Sequence, residues 1–200
     1  MQDYKQDILM VGVGGQGTIL ASDILGEVAI AAGYDVKKTD TLGMAQRGGS
    51  VISHVRIADQ VRSPLVKDGE ADFIIGFEKL EAARWSPFLK PDGLIVINNQ
   101  AIPPLSVALG TNKYPDDTEI IDILKQKTDR IYLVDGLEKV QKLGDNRTLN
   151  IFMLGYISNF LPFEHQLWQD CITARLPQKV LSININAFEI GRKETSNVNI

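Results

Sequence analysis

Gly12-Val13-Gly14-Gly15-Gln16-Gly17 is the first place in the chain where residue types and spacing could support chemistry. The apolar run Ile8 to Val11 precedes it and a helical pattern begins at Thr18, so this G-x-G-x-x-G sits between a strand and a helix. Gly12, Gly14, Gly15 and Gly17 allow a tight turn and a close backbone approach, and the first amides of the helix favour a negative group. A second segment, Thr41-Leu42-Gly43-Met44-Ala45-Gln46-Arg47-Gly48-Gly49-Ser50, is too polar and glycine-rich for a core. Arg47 offers a planar fork of donors suited to carboxylate or phosphate. Two such segments at one sheet edge favour an anion site or a docking surface. Asp40 lies at the end of a second strand beyond Gly17, where an acid can bind a ribose hydroxyl or simply close a loop. Glu78 stands where a strand meets a helix, either beside a ligand or as a first-turn acid. His54 has no neighbours at metal-ligand or nucleophile–base spacing and reads as a hydrogen-bonded sheet histidine. No catalytic residue and no metal ligand set is assigned.

The elements that must carry these residues follow from periodicity. Leu20, Ile24 and Val28 recur four apart in a helix ending at Gly33, a left-handed cap. Tyr34 to Thr39 reads as a strand that closes a β-α-β half of a doubly wound sheet. Ser50 to Ile57 alternates, with Val51, Ser53, Val55 and Ile57 on one face and Ile52, His54 and Arg56 on the other. Val61 to Val66 reads as a short edge strand interrupted by Pro64. Further strands are expected at 73–77, 94–97 and 131–134, with a turn at Pro91-Asp92-Gly93 and an irregular crossing over 98–110. Helices are expected from Glu78, after Pro115, near 137–143, and from Thr148 to Pro162, where Gly155 permits close packing. Another helix covers 163–174, and a last one follows Pro177 and ends near Gly191, with 192–200 expected to fray. The fold class is α/β, an open, mostly parallel Rossmann-like sheet flanked by helices with a helical C-terminal segment. The expected organisation is one domain over 1–200, with the sheet region spanning residues 1–145 and the C-terminal helices spanning 146–192.

Composition narrows the function. Two hundred residues, 44% hydrophobic and 23% charged, describe an ordinary globular chain with a net charge of −4 and no basic stripe, which argues against nucleic acid. No stretch of about 18 apolar residues suggests a membrane span, and no signal-like segment opens the chain, so the cytoplasm is expected. Cys171 is the single cysteine, and one thiol can hold neither an iron–sulfur cluster nor a structural zinc.

Gly12 to Gly17, Gly43 to Val51 and Ser53-His54-Val55-Arg56 together resemble the gamma domain of 2-oxoacid:ferredoxin oxidoreductases. Ser63-Pro64, Gly69 to Asp72, Glu78 with Leu80-Glu81, and Arg84 extend the match. Asn150 with Leu154-Gly155, and Asn186 to Gly191, carry it over nearly the whole chain. Within the family the Met-Ala-Gln-Arg-Gly-Gly form is most similar to the separate beta subunits of indolepyruvate:ferredoxin oxidoreductases. Leu42 departs from the pattern, in which histidine is expected before Gly43-Met44. The resemblance implies an enzyme subunit that is not catalytic alone. A large alpha subunit would carry thiamine diphosphate and iron–sulfur clusters, oxidise an aryl pyruvate to an aryl-acetyl-CoA and pass electrons to ferredoxin. Alongside that resemblance, Gly12, Gly14, Gly15, Gln16, Gly17, Gly43, Met44, Gln46, Arg47, Gly48 and Gly49 are expected to form one glycine-lined edge facing that partner or the active site, with Arg47 engaging an anion there, the diphosphate of coenzyme A being the first candidate. The isolated chain is expected to be able to form a homodimer. Two other readings remain open on the residues alone. They are a self-contained NAD(P)-binding Rossmann oxidoreductase using Asp40, and a nucleotide- or acyl-CoA-binding module.

Overall fold

Nine residues, Lys5–Val13, form β1, and its segment Ile8-Leu9-Met10-Val11 is fully buried because both faces of the sheet are covered. The computed structural model describes residues 4–42, 48–194 and 198–199. After β1 come α1 (Thr18–Ala31), β2 (Asp35–Leu42), β3 (Ser50–Ala58), β4 (Ala71–Gly76), α2 (Lys79–Trp85) and β5 (Leu89–Asn98). Then follow α3 (Leu105–Ala108), α4 (Asp117–Lys125), β6 (Ile131–Val134), α5 (Gly136–Leu143) and α6 (Leu149–Ile157). The chain closes with α7 (His165–Arg175), α8 (Gln178–Lys193) and β7 (Val198–Asn199). The sheet order is β2-β3-β1-β4-β5-β6-β7. Strands β1, β4, β5 and β6 are parallel neighbours, whereas β3 runs antiparallel to β1 and β2, and β7 antiparallel to β6. The α/β, mostly parallel sheet flanked by helices is therefore present.

The expected β-α-β half is not formed. Strand β3 enters between β1 and β2, pairing Lys5 to Val13 with Ala58 to Ser50 and Leu42 to Asp35 with Val51 to Ala58. Burial explains the order: β3 sends Val55 and Ile57 into one core and Ile52 into the other, so it suits the interior. Strand β2 carries two lysines and two aspartates, which suit a sheet edge. The expected strand at Val61–Val66 is absent. Side chains satisfy that backbone instead: Arg56 donates to the carbonyls of Ser63 and Leu65, and the Val66 amide donates to His54 Nδ1. His54 is thus the hydrogen-bonded sheet histidine expected, and burial holds its pKa below the usual value. Pro91-Asp92-Gly93 bulges out of β5 rather than preceding it, with Asp92 at φ 61°. The irregular crossing includes the short α3. Val198–Asn199, expected to fray, pairs with β6.

The Schellman pattern ends α1, with the Gly33 amide on Ile30 O, the Tyr34 amide on Ala29 O and Gly33 at φ +94°. On that side of the sheet, residues of α1 and α5 to α8 share a core with Ile8 and Met10. On the other side, residues of α2 and α4 share a core with Leu9 and Val11. Every residue of α6 is buried, which is why it reads as apolar on all sides. It crosses α8 at a pair of glycines. A Cβ on Gly155 would lie 2.1 Å from Phe188 O, and one on Gly191 would lie 2.0 Å from Phe152 O. Backbone meets backbone there, so no side-chain movement can make room.

Gly155→Ala or Gly191→Ala should lower stability by about 2–4 kcal/mol through forced separation of α6 and α8. The control is Gly26→Ala in α1, whose new methyl would meet only Val36 Cγ1, at 3.6 Å. It should be neutral or gain up to about 1 kcal/mol from helix propensity. Urea unfolding of the three variants checks this, and equal midpoints would refute the crossing argument.

Candidate functional site

The first glycine segment closes the carboxyl edge of β1 as a turn with its own internal support. Gly17 adopts φ +76° as the N-cap of α1, and a Cβ there would lie 2.6 Å from Asn150 Nδ2, so two constraints select glycine. Gly12 is selected by close approach, since a Cβ would press on Gln16 Oε1 at 2.8 Å and Phe77 Cβ at 3.0 Å. Gln16 folds back over the turn. Its Oε1 accepts from the Val13 amide at 2.8 Å, and its Nε2 donates to Phe77 O at 2.9 Å and Gln100 Oε1 at 3.1 Å.

A cluster of side-chain amides continues this contact across the strand ends. Asn98, fully buried, donates from Nδ2 to Phe77 O at 3.1 Å and Gln100 Oε1 at 3.2 Å, and its Oδ1 accepts from the Leu137 amide at 3.2 Å. One carbonyl, that of Phe77, therefore joins the glycine turn to β5 and, through Asn98, to the start of α5. Sequence reasoning missed Asn98 and Gln100. The available signal was a polar run, Asn98-Asn99-Gln100, directly after a fully apolar strand end.

The two glycine segments meet: the Gly14 amide donates to Gly49 O at 3.0 Å, and Val13 is paired with Ser50. Beside them a cleft of about 350 Å³ opens between Gly48 to Ser50, the first turns of α2, and the segment Ile102 to Ser106. Thus Gly12, Gly14, Gly15, Gln16, Gly17, Gly48 and Gly49 share one edge. Gly43, Met44, Gln46 and Arg47 lie outside the described residues.

Two buried carboxylates hold the cleft walls. Glu78, only 1% exposed, caps α2 by accepting from the Glu81 amide at 2.8 Å. Its Oε1 also accepts from the Ile102 amide at 3.0 Å and Tyr114 OH at 2.5 Å. Burial, reinforced by this bond to a carboxylate, pushes the Tyr114 phenol well above its usual pKa. Glu81 accepts from Ser50 Oγ and lies 3.5 Å from Arg84 Nε. Glu78 therefore fixes the 102–114 segment, and Glu81 ties the glycine side to α2. Of the two roles expected of Glu78, the one at the helix terminus is formed, as a cap, and the residue also lines the cleft. With both acids bound to structural donors, the described lining presents Arg84 as its cation and no nucleophile–base pair. Among the described residues no group of three or more His, Cys, Asp or Glu could hold a metal ion.

A dinucleotide site of the Rossmann type is not assembled. Asp40 is separated from β1 by β3, and its carboxylate accepts from Lys38 Nζ at 2.8 Å and Ser53 Oγ at 2.6 Å. Thr18 and Asn150 are almost fully buried, so α6 covers the amino end of α1 where a pyrophosphate would sit.

The sequence pattern of the pyruvate ferredoxin/flavodoxin oxidoreductase family matches residues 7–194. The chain is 39% identical over 189 residues to indolepyruvate oxidoreductase subunit IorB of Archaeoglobus fulgidus, covering 94% of each chain. It is 36% identical over 196 residues to the subunit of the same name from Pyrococcus horikoshii, covering 96% of each. The crystal structure of the keto/oxoacid ferredoxin oxidoreductase gamma subunit from Geobacter sulfurreducens shares the fold, with a TM-score of 0.71, 21% identity and 94% of each chain covered.

Glu78→Ala strips the acceptor from two amides and a half-buried phenol. It should cost about 2–4 kcal/mol and speed exchange of the Ile102 amide hydrogen far more than that of amides in β1. Site-resolved hydrogen exchange checks this. Unchanged protection at Ile102 would remove the clamp.

Proposed function

The chain belongs to the pyruvate ferredoxin/flavodoxin oxidoreductase family, and we propose that it completes an indolepyruvate:ferredoxin oxidoreductase. It is a small subunit of an oxoacid:ferredoxin oxidoreductase, a heteromeric enzyme. The observation that carries the substrate assignment is identity of 39% and 36%, over nearly full length, with subunits named for indolepyruvate. The reaction is oxidative decarboxylation of an aryl pyruvate to an aryl-acetyl-CoA with reduction of ferredoxin. A large alpha subunit supplies thiamine diphosphate and iron–sulfur clusters. Cys171 does not fit a cluster: it is a single thiol on α7, half-buried, with its pKa raised by burial.

In this reading the glycine edge and its cleft face the large subunit. Leu105, which lines the cleft, and Leu109 at the end of the same short helix, each 69% accessible, offer apolar area for that contact, and in its absence they favour a homodimer. Arg47, in the glycine segment that leads into this edge, engages the diphosphate of coenzyme A. No helix among the described residues is long and apolar enough to cross a membrane, and the proposed location is the cytoplasm.

Anaerobic purification through a tag on this chain should recover a large brown subunit. The complex should reduce a viologen dye with indolepyruvate and coenzyme A far faster than with pyruvate or 2-oxoglutarate. Arg47→Ala should raise the apparent KM for coenzyme A about tenfold or more while leaving assembly intact. A preference for pyruvate would overturn the substrate, and an unchanged KM would remove Arg47 from the site.

A further inference from the structure

At the opposite end of β1 from the glycine edge lies a pocket of about 450 Å³ whose charge is all of one sign. Its lining contains Lys5, Arg56, Arg62 and Lys67 and no acidic residue, in a chain with 25 acids and 21 bases. Eight steps of about 3.3 Å along β1 place it roughly 26 Å from the cleft. We infer that this pocket binds a compact phosphorylated small molecule carrying two or more negative charges.

The pocket is built rather than left by a loose loop. Asp35 Oδ2 accepts from the Val61 amide at 2.8 Å, and the Val66 amide donates to His54, so both ends of the segment are pinned. Arg56 forms the floor. Its Nε and Nη2 donate to the buried Asp7 at 2.8 and 3.1 Å, and its Nη1 donates to Ser63 O and Leu65 O. Asp7 also pairs with Lys5 at 2.9 Å, and Glu70 adds a further negative charge near Arg56. Those acids offset the floor and Lys5. Arg62 and Lys67 remain, both exposed, and among the described residues neither side chain has an ion-pair or hydrogen-bond partner.

The lining selects the ligand class. A phosphate group carries about −1.5 to −2 charges and several acceptor oxygens, against one charge on a carboxylate, and matches a guanidinium fork with an ammonium nearby. No aromatic ring lines the pocket, so no nucleobase is stacked there. The concave shape suits a small anion better than a flat acidic protein surface. This site does not depend on the coenzyme A reading of the glycine edge.

Inorganic pyrophosphate titrated into the full chain at constant ionic strength, followed by amide NMR, tests the proposal. Saturable shifts should centre on residues 5 and 61–67, and Arg62→Glu with Lys67→Glu should weaken binding at least tenfold. Both substitutions are on exposed side chains, and a matching thermal melt confirms the fold. Arg84→Ala, at the distant cleft, should leave these shifts unchanged. Linear, non-saturating shifts, or equal binding by the double variant, would overturn the site. Tighter binding of citrate than of pyrophosphate would overturn the phosphate class.

Discussion

The antiparallel pairing of β3 with β1 is the constraint on which the rest of the molecule depends. Its nine-residue register sets Val13 against Ser50 at one end and Lys5 against Ala58 at the other. At the first end it brings the two glycine segments within one hydrogen bond, Gly14 to Gly49. At the second it sets Arg56 opposite Asp7 and folds residues 61–67 around that pair. The same pairing pushes β2 to the edge, which moves Asp40 away from any nucleotide at the glycine turn. A one-residue slip would turn Val55 and Ile57 out of their core and break all of these placements together.

Polar groups do the joining at the carboxyl edge, where apolar packing ends. Gln16, Asn98 and Gln100 satisfy one another and the Phe77 carbonyl, and Glu78 and Glu81 satisfy amides and hydroxyls from three separate segments. Each such bond adds only about 1 kcal/mol net, but an orphaned buried partner costs more than that. The arrangement therefore fixes geometry more than it adds stability. That suits the proposed role, in which the edge presents a defined shape to a larger subunit.

The helical layer obeys a stricter steric rule. Gly155 and Gly191 let α6 and α8 touch through their backbones, which seats α6 over the sheet and sets Asn150 against Gly17. A residue of the C-terminal helices thereby closes the nucleotide-like turn near the start of the chain. The motif resembles a dinucleotide site locally and is occupied by protein in three dimensions.

Local chemistry was legible in the sequence wherever a short window settles it. The strand–glycine–helix order around Gly12 to Gly17, the strand at 131–134, the Gly33 cap and the packing role of Gly155 follow from turn chemistry and periodicity. The family follows from motifs spread along the chain, and a single cysteine places any clusters elsewhere. What the tertiary structure decided is pairing. Strand order depends on which strand can be buried on both faces, a comparison among all strands that no single window contains. Asn98 and Gln100, read as belonging to an irregular crossing, acquire their role only when Gln16 arrives beside them from 84 residues away. Lys5 and Lys67 likewise share a pocket because the sheet register brings the ends of β1 and β3 together. Hydrogen-bond partners and like charges so far apart in sequence are chosen by the fold, because contact energy depends on distance in space and not along the chain.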